Sequence, residues 1–231
     1  ADLLLTGVHW ATAEETVSPA RFFDPRTRES IRLGLAYLAS HQNSDGSFGA
    51  GGYSRNVAIC GLCGMAFLAS GNMPGRGKYG PQIEQCVNWI LQSAQENGFI
   101  TAAEAAGRGP MYGHGFATLF LAEIYGATRD PRVREKLAAA VQLIIRTQNG
   151  EGGWRYEPKR LDADVSVTVC QIMALRAARN AGLYVPNETV ERSVQYVRRC
   201  QNADGGFMYQ ASQPDESQFP RSAAALVALY S

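Results

Sequence analysis

Residues 143–156 read LIIRTQNGEGGWRY, and this order of an apolar pair, a glutamine, a glycine turn and an aromatic residue occurs four times in the chain. The other copies are YLASHQNSDGSFG at 37–49, ILQSAQENGFI at 90–100 and YVRRCQNADGGFMY at 196–209. The glutamines stand at 42, 95, 148 and 201, so successive copies are 53 residues apart. A fixed period of this length indicates an architecture built from structural repeats.

Each glutamine lies between two predicted helices. The segment before it is amphipathic, as shown by the helical spacing of Val133, Leu137, Val141 and Ile144, and this pattern predicts an outer helix with one face in water. The segments after it are apolar throughout and rich in small residues, which predicts closely packed inner helices at 56–70, 111–126, 164–182 and 220–231. Asp24-Pro25, Gly80-Pro81 and Asp130-Pro131 mark helix starts. The sequence therefore predicts an all-α fold of about four helical hairpins.

Composition excludes several classes of function. The chain has 231 residues, 45% of them hydrophobic, which is enough to bury a sizeable core. The net charge of +1 does not favour nucleic acid as a partner, and no apolar run approaches the roughly 20 residues of a membrane span. The five cysteines fall in apolar helical segments, so we expect reduced, buried thiols and no disulfide framework. No compartment is indicated.

The repeated turn resembles a known motif. The pattern Q-x3-G-x-[FW], present around Gln42, Gln148 and Gln201 and shortened around Gln95, is similar to the QW motif of squalene and oxidosqualene cyclases. More broadly it resembles the α/α-toroid superfamily that includes the protein prenyltransferase β subunits. The strings MYGHGFATLFLAE and DADVSVTVCQIMALRAARNAG resemble bacterial prenyltransferase/squalene oxidase repeat proteins of undefined activity. The resemblance implies a partial α/α toroid over residues 25–231, preceded by an N-terminal extension at 1–24, with a mostly apolar pocket lined by inner helices.

Two aspartates open the third inner helix. Squalene-hopene cyclases carry D-x-D-D-T at this place, and their middle Asp protonates an alkene. The matching stretch here is Asp162-Ala163-Asp164-Val165-Ser166, in which Val165 replaces the last Asp. The resemblance implies Asp164 as the catalytic acid and Asp162 as the group that biases its proton. The alternative is an ordinary helix cap, because Asp is favoured at helix N-termini.

The zinc-dependent prenyltransferases fit less well. Their pattern is similar at Gly152-Gly153-Trp154 and at Asp164, but Val167 stands where their zinc-binding His belongs, and no Asp-x-Cys occurs. A catalytic zinc needs at least three sound ligands, so we expect neither a metal nor another cofactor. Cys60 and Cys63 form a C-x-x-C within an apolar helix, where buried thiols are the simpler interpretation.

His114, Tyr112 and Trp154 are the candidate substrate-binding residues. Glycines on both sides of His114 would leave its imidazole facing a cavity, and the alternative is a core histidine bonded to a neighbouring helix. Two hypotheses for function remain open. One is an enzyme that binds or cyclises an isoprenoid by protonation from Asp164, and the other is a non-catalytic binding or interaction module of the same fold, with the aspartates as caps. An apolar small molecule is the expected ligand of the first.

The fourth repeat raises a question of completeness. The superfamily closes its ring with about six hairpins, whereas the 53-residue phase accounts for four here. The last inner segment, PRSAAALVALYS, carries no polar cap. We therefore expect either further repeats after the C-terminal end or a homo-oligomer that covers the apolar surface.

Overall fold

The computed structural model describes residues 23–102 and 109–230, and the chain divides into a unit of residues 1–37 and a unit of residues 38–231. In the first unit, residues 25–37 belong to helix α1 (Pro25–Ser40). Asp24 caps this helix, since its carboxylate accepts a hydrogen bond from the Thr27 amide at 2.7 Å. The predicted N-terminal extension, 1–24, lies outside the described residues except for its last two positions.

The second unit contains the remaining helices. They are α2 (Val57–Ala69), α3 (Gly80–Gln92), α4 (Pro110–Thr128), α5 (Pro131–Thr147), α6 (Val165–Asn180), α7 (Asn187–Arg199) and α8 (Phe219–Leu229), with a short 3₁₀ turn at Gly51–Tyr53. The three helix starts that prolines mark are found at Pro25, Gly80 and Pro131. Within the described residues there is no β-strand, only isolated bridges, so the all-α prediction is confirmed.

The even-numbered helices pack against each other in chain order, α2 on α4, α4 on α6 and α6 on α8. Glycines make this approach possible. A Cβ added to Gly64 would lie 2.5 Å from the Phe120 ring, and one added to Gly113 would lie 2.7 Å from Val57 Cγ2. The helices α3, α5 and α7 are the outer ones, and α5 buries its predicted apolar face, with Val133, Leu137, Val141 and Ile144 each at most 1% exposed.

The glutamine turns close the hairpins. We name them the first (42–48), second (95–99), third (148–154) and fourth (201–207) turns. In the third, the Gln148 side-chain amide donates to Gly152 O at 2.9 Å, and the Trp154 ring N–H donates to Ile144 O at 2.8 Å. Trp154 is 1% exposed. The turn thus satisfies backbone carbonyls at a helix end and covers that end with an aromatic ring.

The thiols agree with expectation. All five cysteines are buried and free, and burial raises the pKa of the Cys63 thiol to about 11. Among residues 23–102 and 109–230, no helix combines the length and apolar character that crossing a bilayer requires.

Candidate functional site

Asp164 is the N-cap residue of α6 and is 0% exposed. Its Oδ1 accepts two hydrogen bonds, from the Val167 amide at 2.9 Å and from the Ser166 hydroxyl at 2.8 Å. Its backbone is held as well, because the Asp164 amide donates to Trp154 O at 3.0 Å and the Trp154 amide donates to Thr168 Oγ1 at 3.0 Å. The carboxyl group is therefore fixed in one orientation.

The second oxygen of Asp164 has no such partner. Oδ2 is buried without a hydrogen bond among the described residues, and its nearest cation is Arg155, whose Nε lies 3.8 Å away. Burial raises the pKa of Asp164 above its ordinary value, and this effect outweighs the hydrogen bonds from Val167 and Ser166, the charge of Arg155 and the nearby Tyr209 hydroxyl, all of which lower it. Such an environment favours the protonated acid more than an ordinary cap does.

Hydrogen bonds connect this acid to a cavity. The Tyr112 hydroxyl lies 2.9 Å from Ser166 Oγ, which is bonded in turn to Asp164 Oδ1. Tyr112 also lines a cavity of about 480 Å³ at the N-terminal ends of α2 and α4, whose other lining residues are Tyr53, Asn56, Val57, Ala58, Ile59, Gly109, Pro110 and Gly113. Burial raises the pKa of Tyr112 to about 12, so its hydroxyl is neutral at physiological pH.

Further tyrosines stand beside the acid. The Tyr112 and Tyr156 ring centroids are 6.0 Å apart, and the Tyr156 and Tyr209 hydroxyls are hydrogen-bonded to each other. The Arg155 guanidinium lies over both the Tyr156 and the Tyr209 ring, at 5.0 and 5.9 Å from their centroids. Burial, and to a smaller degree the charge of Asp164, raises the pKa of the Tyr209 hydroxyl. Asp164 thus lies next to π-electron surfaces that stabilise cations.

The other predicted site residues are placed differently. Asp162 does not contact Asp164 directly: its half-exposed carboxylate is paired with Arg155, which also faces Asp164. Asp162 lines a second cavity of about 320 Å³ formed by Arg155, Tyr156, Glu157, Lys159 and Leu161. Trp154 lies in the core of the third turn, so its ring contributes to packing and lines neither cavity.

His114 is in the core of α4 and is 0% exposed. Its Nδ1 accepts a hydrogen bond from the Ile100 amide at 3.2 Å, and its Nε2 lies 3.3 Å from Ala140 O, to which it donates. This is the core-histidine alternative, in which both ring nitrogens serve the backbone. His114 does not line the 480 Å³ cavity.

The burial of His114 makes stability dependent on pH. Burial lowers the pKa of His114 to about 4, whereas the unfolded value is about 6.5, so acid adds a proton to the unfolded chain first. Between pH 7 and pH 5 the free energy of unfolding should fall by about 2 kcal/mol more in the original protein than in the variant His114→Gln. Urea unfolding at the two pH values measures this difference, and equal losses in both proteins would contradict it.

Several residues of this cluster were not predicted, namely Ser166, Arg155, Tyr156 and Tyr209. Two of them carried a usable signal, because Tyr156 and Tyr209 are one repeat period of 53 residues apart and follow the third and fourth turns. Ser166 had no such signal, since its role depends on the contact between α4 and α6.

Comparison with known proteins places the chain among toroid proteins. The family model described as prenyltransferase alpha-alpha toroid domain matches residues 26–117 and 106–230. A drimenyl diphosphate synthase from Streptomyces showdoensis is 24% identical over 194 residues, which cover 83% of this chain and 34% of that protein. The chain thus spans about a third of the length of this curated relative.

Solved structures agree on the fold. The type II terpene cyclase MstE from Scytonema superimposes with a TM-score of 0.61 at 19% identity, over 90% of this chain and 58% of that chain. A variant of MstE bound to its substrate, geranylgeranyl dihydroxybenzoate, superimposes with a TM-score of 0.56 at 18% identity, over 89% of this chain and 62% of that chain. A GH76 α-mannanase from Bacteroides thetaiotaomicron superimposes with a TM-score of 0.57 at 12% identity, over 90% of this chain and 62% of that chain. The expected α/α-toroid fold is confirmed, and it serves more than one chemistry.

Proposed function

The chain belongs to the prenyltransferase α/α-toroid domain family, and from that premise we propose that it binds an acyclic isoprenoid and starts its cyclisation with the proton of Asp164. The observation that carries this proposal is the hydrogen-bonded path from Asp164 through Ser166 to Tyr112 on the wall of the 480 Å³ cavity. A cavity of this size is in the range of small-molecule sites.

The geometry supports one proton route. In the structure Tyr112 donates to Ser166 and Ser166 donates to Asp164 Oδ1. When Asp164 is protonated at Oδ1, both hydroxyls turn, so that the carboxyl O–H donates to Ser166, Ser166 donates to Tyr112, and the Tyr112 proton is released towards the cavity. Transfer along this path forms a C–H bond at one alkene carbon from the π pair, leaves a carbocation at the other carbon and leaves Asp164 as a carboxylate. The Val167 amide, 2.9 Å from Oδ1, and the Arg155 guanidinium then stabilise the carboxylate.

The repeat itself supports an acid at this place. In the first repeat the same N-cap position is held by Asn56, whose Oδ1 accepts from the Ala58 and Ile59 amides at 2.9 and 3.2 Å. An uncharged amide is therefore sufficient for the cap. A buried carboxyl group that ionises costs more free energy than a buried amide. The use of aspartate at position 164, where asparagine would serve the cap at lower cost, is the kind of departure that is typical of functional sites.

The ligand class follows from relatives and from the cavity together. MstE is a terpene cyclase that takes a geranylgeranyl substrate, and the curated relative is a drimenyl diphosphate synthase. The wall of the cavity here is mostly apolar, with Val57, Ile59 and Pro110 beside the rings of Tyr53 and Tyr112. Apolar side chains fit an isoprenoid tail, and the two rings offer π faces to a cation.

Proton incorporation tests the proposal. The protein is incubated in D₂O with all-trans geranylgeraniol and, separately, with farnesyl diphosphate, and products are identified by mass spectrometry. We expect a cyclised product that carries one deuterium at the carbon protonated first. A change in tyrosine fluorescence on addition of the isoprenoid reports binding. If that change occurs and both substrates are recovered without deuterium, the protein binds the isoprenoid without catalysis.

One observation favours the second candidate, a non-catalytic binding module. Neither carboxylate of Asp162 and Asp164 lines the 480 Å³ cavity, and Asp164 makes the hydrogen bonds of an ordinary cap. In that case ligand binding would persist in every variant of Asp164, and no deuterium would enter the ligand.

A further inference from the structure

Oδ2 of Asp164 is a buried polar atom that the proton path does not use. Oδ1 is the oxygen that leads to the cavity, since it accepts from the Ser166 hydroxyl. Oδ2 has no hydrogen bond among residues 23–102 and 109–230, and Arg155 Nε stands 3.8 Å from it. A neutral carboxyl group can hold its proton on either oxygen, so the path works only if a neighbouring group keeps the proton on Oδ1.

The segment after the fourth turn is fixed on both sides of this carboxyl group. The Val165 amide donates to Tyr209 O at 3.0 Å, and the Gln210 side-chain amide, which is buried, donates to Ala163 O at 3.0 Å. These two bonds join residues 209 and 210 to the chain neighbours of Asp164. They hold the Tyr209 side chain beside the carboxyl group, whose pKa the Tyr209 hydroxyl lowers, as a donor at this place does.

A second tyrosine holds the Tyr209 hydroxyl from the other side. It is hydrogen-bonded to the Tyr156 hydroxyl. The Tyr156 carbonyl accepts from the Met111 amide at 3.0 Å, which fixes residue 156 to the start of α4. With Tyr156 as the donor of the hydroxyl pair, the proton of the Tyr209 hydroxyl is available for Oδ2 of Asp164.

The charges around Asp164 favour the same arrangement. Arg155 has no acceptor atom, so a proton placed on Oδ2 would face a cation, whereas an oxygen that keeps its lone pairs is attracted to it. The further charges, Asp162 and Asp215, are each paired with an arginine. Burial raises the pKa of four other titratable groups near Asp164, which are therefore neutral at physiological pH: Tyr112, Cys170, Tyr196 and Tyr209.

We propose that Tyr209 is a positioning residue, whose hydroxyl donates to Oδ2 of Asp164 and thereby keeps the acid proton on Oδ1, facing Ser166. Tyr156 supports this role by donating to Tyr209. Without the Tyr209 hydroxyl the proton moves to Oδ2, because the two hydrogen bonds that Oδ1 accepts, at 2.8 and 2.9 Å, outweigh Arg155 at 3.8 Å. The proposal rests on the proposed function, since it assigns a residue to the same proton transfer.

Nuclear magnetic resonance of the Val167 amide tests where the proton lies, without any substrate. This amide donates to Oδ1, and an Oδ1 that carries the proton is a much weaker acceptor, so the amide proton signal should move upfield as Asp164 is protonated. We expect this step when the ¹⁵N-labelled protein is acidified, and no step in Asp164→Asn. In Tyr209→Phe the step should shrink to about half or less, because Oδ2 takes the proton and Oδ1 remains an acceptor.

Turnover gives a second, opposite pair of signs. Since the Tyr209 hydroxyl lowers the pKa of Asp164, Tyr209→Phe should raise that pKa and keep Asp164 protonated to higher pH. Deuterium incorporation into the isoprenoid should nevertheless fall at least about tenfold, because the proton no longer lies on the path to Ser166. A residue that only tuned the acidity of Asp164 would instead raise turnover at neutral pH.

Two further variants serve as controls. Tyr156→Phe leaves the Tyr209 hydroxyl without its donor, so it should shift the same quantities in the same direction by less, and it tests the proposal if Tyr209→Phe does not fold. Tyr125→Phe is the matched control, since it removes a hydroxyl from a ring that also lies beside an arginine, Arg129, at the other end of α4. It should change neither the Val167 signal nor turnover.

The outcomes separate this proposal from the proposed function. A Val167 step of full size in Tyr209→Phe would overturn the role of Tyr209, and so would an unchanged pKa of Asp164 or a turnover that is equal or higher in that variant. An original protein that turns over no isoprenoid would contradict the proposed function instead. The Val167 signal would still decide which oxygen of Asp164 holds the proton.

Discussion

Asp164→Asn is expected to abolish isoprenoid turnover while it leaves the free energy of unfolding within about 1 kcal/mol of the original value. Asparagine keeps an oxygen that accepts from the Val167 amide and the Ser166 hydroxyl, as Asn56 does for the amides at the start of α2. It has no acidic proton. Because the raised pKa of Asp164 means that the buried carboxylate is unfavourable at neutral pH, its replacement by a neutral amide offsets any loss of cap strength.

Two controls separate chemistry from structure. Tyr112→Phe removes the hydroxyl at the cavity end of the proton path and should reduce turnover as severely as Asp164→Asn does. Asp130→Asn changes another aspartate cap, at the start of α5, and should leave turnover unchanged. Deuterium incorporation measures turnover, and urea unfolding measures the free energy of unfolding of each variant. If Asp164→Asn destabilised the fold strongly and no protein turned over an isoprenoid, Asp164 would be a cap only.

Trp154→Ala is expected to lower the free energy of unfolding by about 3–5 kcal/mol. The ring is among the largest fully buried side chains, and it closes the third turn by donating to Ile144 O. Truncation leaves a cavity and removes the shorter of two side-chain hydrogen bonds to Ile144 O, the other being donated by the Thr147 hydroxyl at 3.2 Å. Urea or guanidinium unfolding monitored by circular dichroism measures the loss, and a change near zero would mean that the aromatic position does not close the hairpin.

Trp154→Phe is the matched control for this effect. Phe48 and Phe207 hold the equivalent position in the first and fourth turns and are 3% and 0% exposed, so the site accepts a phenyl ring in this fold. The variant loses the hydrogen bond to Ile144 O and part of the ring volume. We expect a loss of about 1–2 kcal/mol, clearly smaller than that of the alanine variant.

The repeat carried most of the information about the fold. The 53-residue phase of Gln42, Gln95, Gln148 and Gln201 predicts the hairpins, because each glutamine position needs the same turn and the same neighbouring helices. Asp130-Pro131 predicts the start of α5 by local chemistry alone. The helix start depends on neighbouring residues, and the hairpins depend on a pattern that recurs along the chain. Both can be read from one sequence, which is why it was sufficient to predict them.

The candidate site was predicted only in part. Asp164 was identified both as a candidate acid and as a helix cap. The cap hydrogen bond joins it to the Val167 amide three residues later, so a local pattern was sufficient to predict it. The link to Tyr112 joins residues 54 positions apart and depends on how α4 crosses α6, which no local pattern encodes. For His114 the sequence left two alternatives open, an imidazole facing a cavity between its flanking glycines and a core histidine bonded to a neighbouring helix. Gly115 in fact makes room for Gln171 and Cys170 of α6, and the imidazole is enclosed.

The close contact between α2 and α4 has a consequence for the engineering of selectivity. At Gly113 the cavity wall consists of backbone, and the 2.7 Å between an added Cβ and Val57 leaves no space for a larger residue. For the proposed isoprenoid ligand, libraries that aim to change chain-length preference should therefore randomise other lining residues, such as Tyr53, Ile59 and Pro110. Members altered at Gly113 would push α2 and α4 apart, at a cost of about 1–3 kcal/mol of stability, before any new ligand contact is made.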